Sequence, residues 1–398
     1  MNRSVRPYAP WIAGLMAIVF LAVWFFAPIS GHIARHSAEA KGYTVPDSYE
    51  DLEYRYYYQN LGPEQKETYR ILVAELPDFP KRIAIPNLSD RELQLVFSAV
   101  SYDNPELFFL GYHYSFTKSG ALNYFIPKYN MSQSVYRSRL SRMRKAADDF
   151  LRNAPKNGSD YQKELYVHDK IVTTTEYKTS ELDDVYSAYG MLVDHRANCE
   201  GYSRGMHYLL SKLGVVSRVM TGTAQRKDGQ RNNHMWNVVT LNGKEYLTDA
   251  TFDDYNVANN FHADSPKNGA SHIYFNLANA QMRVNHTPDD PKDWNNCIHH
   301  DQGYFVKTGT CYNSYADASA RLSNVIAQNI REGRASVEIQ FGNSSAYQDA
   351  LNGLFRRGEV YRFIDAANTQ LMPDQRVSNT HIEYINDAQF RVIRLYFR

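Results

Sequence analysis

Apolar residues recur at helical spacing in several stretches of this chain. Tyr136, Leu140, Met143, Ala147 and Phe150 fall on one helical face, and Leu165, His168 and Val172 share one side of a helix around 161–175. A third stripe runs through Tyr202, Met206, Leu209, Leu210 and Leu213, with Asn198 as its cap and Gly214 as its stop. Pro63 opens a helix over 64–76, and Ser89 or Asp90 caps one over 91–100. Strand patterns interleave with these: short ones near 112–124, one over 215–223, and two over 234–241 and 244–249. Asn242-Gly243 separates the last two and predicts a two-residue type I′ hairpin. That register pairs Leu241 with Lys244, hence Trp236 with Asp249 and His234 with Thr251. His234 and Asp249 then face the same way as diagonal neighbours, roughly 7–8 Å apart at Cα.

The tail predicts helices over 318–330 and 346–356 and strands over 337–341 and 389–397. The mixture of helices and antiparallel strands predicts an α+β fold. We divide it into an N-terminal segment 1–34, a polar stalk 35–60 ending in a tyrosine cluster, and a mostly helical region 61–155. A core over 160–312 and a small α/β region over 313–398 follow. Asn-Ala-Pro-Lys-Asn-Gly-Ser-Asp at 153–160 is the clearest linker, and there is no internal repeat.

Composition changes this picture at three points. The 398 residues carry 44 basic and 43 acidic side chains, a balance that gives no electrostatic case for nucleic acid as a partner. Arg137, Arg139, Arg142, Arg144 and Lys145 read as the solvated face of their helix rather than a polyanion site. Residues 7–34 contain no Lys, Arg, Asp or Glu, and 11–33 approach the roughly 20 residues that span a bilayer. With Arg3 and Arg6 ahead of them, they predict a single-pass anchor with the remaining chain outside the cytoplasm. A cleaved signal segment, leaving a secreted protein, is the rival reading. Of three cysteines, Cys297 and Cys311 are close enough in sequence to be bridged, which leaves Cys199 as the odd thiol. Cys297 with His299 and His300 has the form of a zinc half-site, but no partner pair appears at suitable spacing, and Asp253 and Asp254 are two acidic residues close together in a loop. The two aspartates read as solvated loop carboxylates, and the expectation is no metal and no cofactor.

The chemistry concentrates at Asn198-Cys199-Glu200-Gly201-Tyr202. A cysteine in the first turn of a helix meets free N–H groups and the positive end of the dipole, which favour the thiolate. An imidazole that takes the thiol proton, and a carboxylate that orients the imidazole, complete a nucleophilic set. His234 and Asp249 supply both if the helix packs beside the hairpin. Tyr186, Tyr189 and Asn198 are candidates for a second oxyanion donor, and Trp236 for a wall of the cleft.

These residues resemble the bacterial transglutaminase-like superfamily. The likeness rests on Tyr-Ser-Ala-Tyr-Gly at 186–190, Asn-Cys-Glu-Gly-Tyr-Ser at 198–203 and Thr-Gly-Thr at 221–223. His-Met-Trp-Asn at 234–237 and Tyr-Leu-Thr-Asp-Ala-Thr-Phe-Asp-Asp at 246–254 complete it. Met235 stands where relatives usually carry alanine. The resemblance implies a papain-like core with Cys199 as nucleophile, His234 as base and acid, and Asp249 as the orienting carboxylate. It implies protein or peptide amides as substrates, cell-envelope peptides among them, cleaved by hydrolysis or passed to an amine through a thioester. The rival expectation is an inactive surface protein that uses the fold to bind or scaffold envelope components.

Overall fold

The computed structural model describes residues 43–46, 52–120, 122–179, 183–226, 228–254, 270–380 and 382–397. The expected anchor 11–33 and most of the stalk lie outside them. Among the described residues no helix is long and apolar enough to cross a membrane.

The chain divides into two compact units. The first holds the helices Pro63–Glu75 and Asp90–Asp103 and a three-stranded antiparallel sheet. Leu122–Tyr129 is the central strand, flanked by Ile83–Pro86 and Leu110–Ser119. Pro63 occupies the first helical turn as its fixed φ allows, and Ser89 and Glu92 cap the second helix reciprocally. The tyrosine cluster is tied down locally: buried Asp103 accepts hydrogen bonds from the amides of Tyr57 and Tyr58.

The second unit contains residues 104–108 and everything from Val135 onward. Its centre is a four-stranded antiparallel sheet in the order Lys244–Thr248, Arg231–Leu241, Ser217–Gln225, His286–Pro288. The helix Cys199–Lys212 packs on this sheet. Its Tyr202, Met206, Leu209 and Leu210 share one buried cluster with Val239, Leu241 and Tyr246. Asn237 Nδ2 donates to the Ser203 carbonyl and fastens sheet to helix. The fold class is α+β, with the cysteine-bearing helix on an antiparallel sheet. Gly214 follows the helix at φ +72°, and its amide donates to the Ser211 carbonyl, the left-handed stop that glycine permits.

A second four-stranded sheet runs Cys311–Tyr312, Ser336–Phe341, Val392–Tyr396, Glu383–Asp387. Tyr315–Arg331, Ser344–Leu351 and Glu359–Asn368 are its helices. The last was missed in the sequence, although Val360, Phe363, Ile364 and Ala367 form a plain buried stripe.

Cys297 and Cys311 are not bridged, and all three thiols are free. Closeness in sequence is overridden by packing. Cys297 is fully buried in an apolar cluster with Met220, Val238 and Trp294, whereas Cys311 is exposed on the edge strand of the second sheet. Burial pushes the Cys297 thiol up to about 12. Thiol titration of the unfolded, unreduced chain should therefore count all three cysteines. In the native protein Cys311 should label readily and Cys297 only after unfolding. Fewer than three thiols without reductant would restore the bridge.

Candidate functional site

Asn198 holds extended backbone ahead of the helix, and its Oδ1 accepts from the amides of Glu200 at 3.0 Å and Gly201 at 3.1 Å. The cap places Cys199 at the first helical position and does not use its amide. Gly201 permits the close seat of this turn, since a Cβ there would lie 2.4 Å from the Val185 carbonyl oxygen. Cys199 itself is partly exposed.

The hairpin supplies the partners. Asn242 and Gly243 have φ of 51° and 75°, the pair of positive values a type I′ turn needs. The ladder runs from Leu241↔Lys244 to Asn237↔Thr248, so the next step sets Asp249 beside Trp236. His234 Nε2 lies 2.7 Å from Asp249 Oδ2, and the Cys199 thiol lies close enough to the same imidazole to help raise it. With Nε2 engaged by the carboxylate, Nδ1 is the nitrogen left for sulfur. Thiol, imidazole and carboxylate thus come together in one connected line.

Asp249 is held at both oxygens. Oδ1 caps the short helix Ala250–Asp253 by accepting from the amides of Thr251 and Phe252, and Oδ2 lies between His234 and His286. Burial alone would raise this carboxyl, but the His234 charge and the hydrogen bonds from both histidines hold it well below the usual carboxylate range. Burial alone would lower His234, but the Asp249 charge and the hydrogen bonds with Asp249 and Cys199 push it up to about 10. His286 is different. Its own desolvation lowers it, so it stays neutral and donates Nε2–H to Asp249.

His286 was not foreseen. It lies on a short edge strand that pairs with Ser217–Gln225, and nothing in its local sequence points back to residue 249. Gly222 makes that pairing possible, because a Cβ there would meet the Thr287 carbonyl oxygen at 2.2 Å. Tyr177 was also missed. It is close enough to feel the charges of Cys199 and Asp249, which together with the larger effect of burial push its hydroxyl up to about 12. A two-residue parallel pairing of Glu176–Tyr177 with Arg196–Ala197 brings it there.

The remaining candidates fall elsewhere or serve otherwise. Tyr189 is a core residue, its ring against Phe108 and beneath the guanidinium groups of Arg139 and Arg142. Trp236 is fully buried beside His234 and edge-on to His286, so it supports the imidazole from inside rather than lining an open cleft. Tyr186 lies in the turn Asp183–Tyr186 next to Tyr177. The Asn198 side-chain oxygen is committed to the helix cap. Asp253 and Asp254, expected to be solvated, are both buried: Asp253 meets His168 Nε2 and the Tyr274 amide, and Asp254 accepts from the Tyr202 hydroxyl. A cavity of about 510 Å³ lies against Phe252, Tyr274, Val392 and Arg394, and Cys199, His234 and Asp249 do not line it.

A thiol at a helix start, an imidazole and a buried carboxylate on a β-ribbon define a Cys-His-Asp site on an α+β scaffold. Residues 145–248 match the family model described as the transglutaminase-like superfamily. The match includes Cys199 and His234 and ends one residue before Asp249. No curated protein matches. Among solved structures, one of a transglutaminase is 16% identical, covering 55% of this chain and 61% of that one, with a TM-score of 0.26. A protein from Cytophaga hutchinsonii provisionally designated a cysteine protease is 13% identical, covering 35% and 61%, with a TM-score of 0.24. One from Parabacteroides distasonis provisionally designated a protease is 11% identical, covering 35% and 30%, with a TM-score of 0.21. The chain thus spans less than two thirds of the length of each.

Proposed function

We propose that this protein is an acyl-transfer enzyme that opens amide bonds of proteins or peptides through a thioester on Cys199. We further propose that residues 11–33 hold it in a membrane with the site outside the cytoplasm. The observation that carries the enzymatic reading is the line from the Cys199 thiol through His234 to Asp249 Oδ2, 2.7 Å from the imidazole. The imidazole is placed to take the thiol proton, which frees the sulfur to attack. The thiolate attacks the amide carbonyl carbon, forming the C–S bond. The Cys199 amide, left free by the cap, is placed to donate to the developing oxyanion. As the tetrahedral adduct collapses, the C–N bond breaks and the imidazolium passes its proton to the leaving amine or ammonia. Neutral His234 then takes a proton from water, whose oxygen displaces the thiol and leaves a carboxylic acid. We assign hydrolysis rather than amine transfer, since water needs no acceptor pocket. The anchor reading is supported by the absence of charged side chains from residues 7–34, with Arg3 and Arg6 ahead of them.

The test offers a glutamine-containing peptide with and without a labelled primary amine. Ammonia or new peptide ends without label are the expected result. Incorporated label would make the protein a transferase, and no turnover together with no covalent adduct to an electrophilic probe would make it a binding protein on an inactive fold.

A further inference from the structure

One helical turn beyond Asp249, the fold buries a second histidine–carboxylate group. His168 and Asp169 sit on the helix Asp160–Thr174, and His272 enters two residues ahead of Tyr274. His168 Nδ1 is 3.1 Å and His272 Nε2 is 2.9 Å from the same oxygen, Asp169 Oδ1. One donor atom from each of the three residues lies within 4.8 Å of the other two. The far nitrogen of each ring meets another carboxylate: His168 Nε2 lies 3.1 Å from Asp253 Oδ2, and His272 Nδ1 lies 2.6 Å from Glu338 Oε2. Both rings are fixed in place. His272 stacks on Tyr304 at 3.6 Å between centroids, and His168 sits edge-to-face with Phe275. The imidazoles are buried, while the Asp169 side chain keeps 36% of its surface in contact with solvent.

A neutral imidazole has one N–H to give, yet each ring here faces acceptors on both sides. Arg394, the buried cation of this group, is paired with Glu338. Arg334 is paired with Glu332 and bonded to the Tyr304 hydroxyl, and Glu164 takes its hydrogen bonds from Thr248 and Asn276. Three carboxylates, those of Asp169, Asp253 and Glu338, thus surround two imidazoles, with Arg394 beside Glu338 alone. We propose that His168 Nδ1, His272 Nε2 and the Asp169 carboxylate bind a divalent transition-metal ion of the zinc class. Asp253 and Glu338 accept from the outer N–H groups, and solvent fills the fourth position. Two imidazoles and one carboxylate suit zinc, whereas calcium and magnesium seek all-oxygen shells. A carboxylate behind each ligand histidine is the arrangement that fixes its tautomer and orientation. Tetrahedral donors stand roughly 3.3 Å apart, so the two short separations at Asp169 need open only slightly.

The other three-donor group among the described residues, His234, Asp249 and His286, is unsuited to an ion. Its single carboxylate is committed at Oδ1 to two amides, and its members are enclosed. The proposed ion has a structural consequence. Asp253 ends the helix that Asp249 caps, and Tyr274 ties the two together by donating its amide to Asp253 and accepting the Asp249 amide at its carbonyl. The proposal stands independently of the reaction assigned to Cys199.

The experiment uses the full-length chain carrying Cys199→Ser, which removes the reactive thiol as a competing ligand. The protein is stripped with chelator, reloaded with zinc sulfate, desalted and assayed by elemental mass spectrometry and thermal melting. About one zinc per chain and a melting point raised by several degrees are expected. Asp169→Asn and His272→Gln should each abolish both, while His286→Gln should keep the zinc. If His272→Gln fails to fold, Asp169→Asn, a near-isosteric change at a part-exposed side chain, decides the matter with circular dichroism as control. A reloaded wild-type site without metal, or one zinc that survives Asp169→Asn, overturns the proposal. The first outcome would mean that two protons on two imidazolium rings balance the site.

Discussion

Replacing Cys199 by serine is expected to lower kcat/KM on any amide substrate by about 10⁴-fold or more while leaving the fold intact. The two consequences separate because the side chain has a chemical place and almost no packing role. It is partly exposed at the first position of a helix whose opposite face, Tyr202, Met206, Leu209 and Leu210, carries the buried contacts. Serine is tolerated at helix starts and has a similar volume, so stability should stay within about 1 kcal/mol of wild type. A hydroxyl lacks the acidity and nucleophilicity of the thiol, and His234 cannot supply the difference. Steady-state kinetics beside a thermal melt check both halves. Serine at full rate would remove Cys199 from the chemistry.

Asp249→Ala is expected to fail in both respects. The carboxylate serves four partners: His234 and His286 at Oδ2, and the amides of Thr251 and Phe252 at Oδ1. Alanine leaves all four unpaired in a buried place, and removing one member of such a group typically costs about 3–5 kcal/mol. Without the carboxylate, His234 loses both its orientation and the charge that raises it, and kcat should fall about 10³–10⁴-fold. Its pH dependence has a definite sign. Asp249 is held below its unfolded value near 4, so its contribution is present above that pH and is lost as pH falls through the lower folded value. His234 is raised from about 6.5 to about 10, so its share is present below the lower figure and disappears as pH climbs to the upper one. The melting-point gap between wild type and Asp249→Ala should accordingly be widest between about pH 4 and 6.5 and narrow on both sides. A gap independent of pH would mean that the variant loses only packing.

Legibility differed from element to element for physical reasons. The helix bearing Cys199 and the hairpin bearing His234 are local objects. An Asn cap, a stripe at helical period and Asn-Gly between two β-rich runs are complete within a few residues, and the ladder follows the register that turn imposes. His286 gave no such sign, because its role depends on an edge strand pairing with a strand some sixty residues earlier in the chain. Cys297 and Cys311 misled because sequence distance carries no information on which apolar cluster a thiol joins. Asp253 looked like one of two solvated carboxylates, and only the arrival of His168 and Tyr274 makes it an interior group.

By itself the sequence determined the α+β class, the place of a thiol at a helix start, and the face shared by His234 and Asp249. Each follows from backbone periods, caps and turn sterics that act over a few residues. Tertiary structure alone decided that helix and hairpin meet, that His286 shares the carboxylate with His234, and that His168, Asp169 and His272 converge with Asp253 and Glu338 around one buried space. Those contacts join segments tens to more than a hundred residues apart. They form because burying the apolar faces leaves charged groups no water to turn to, so they must find one another.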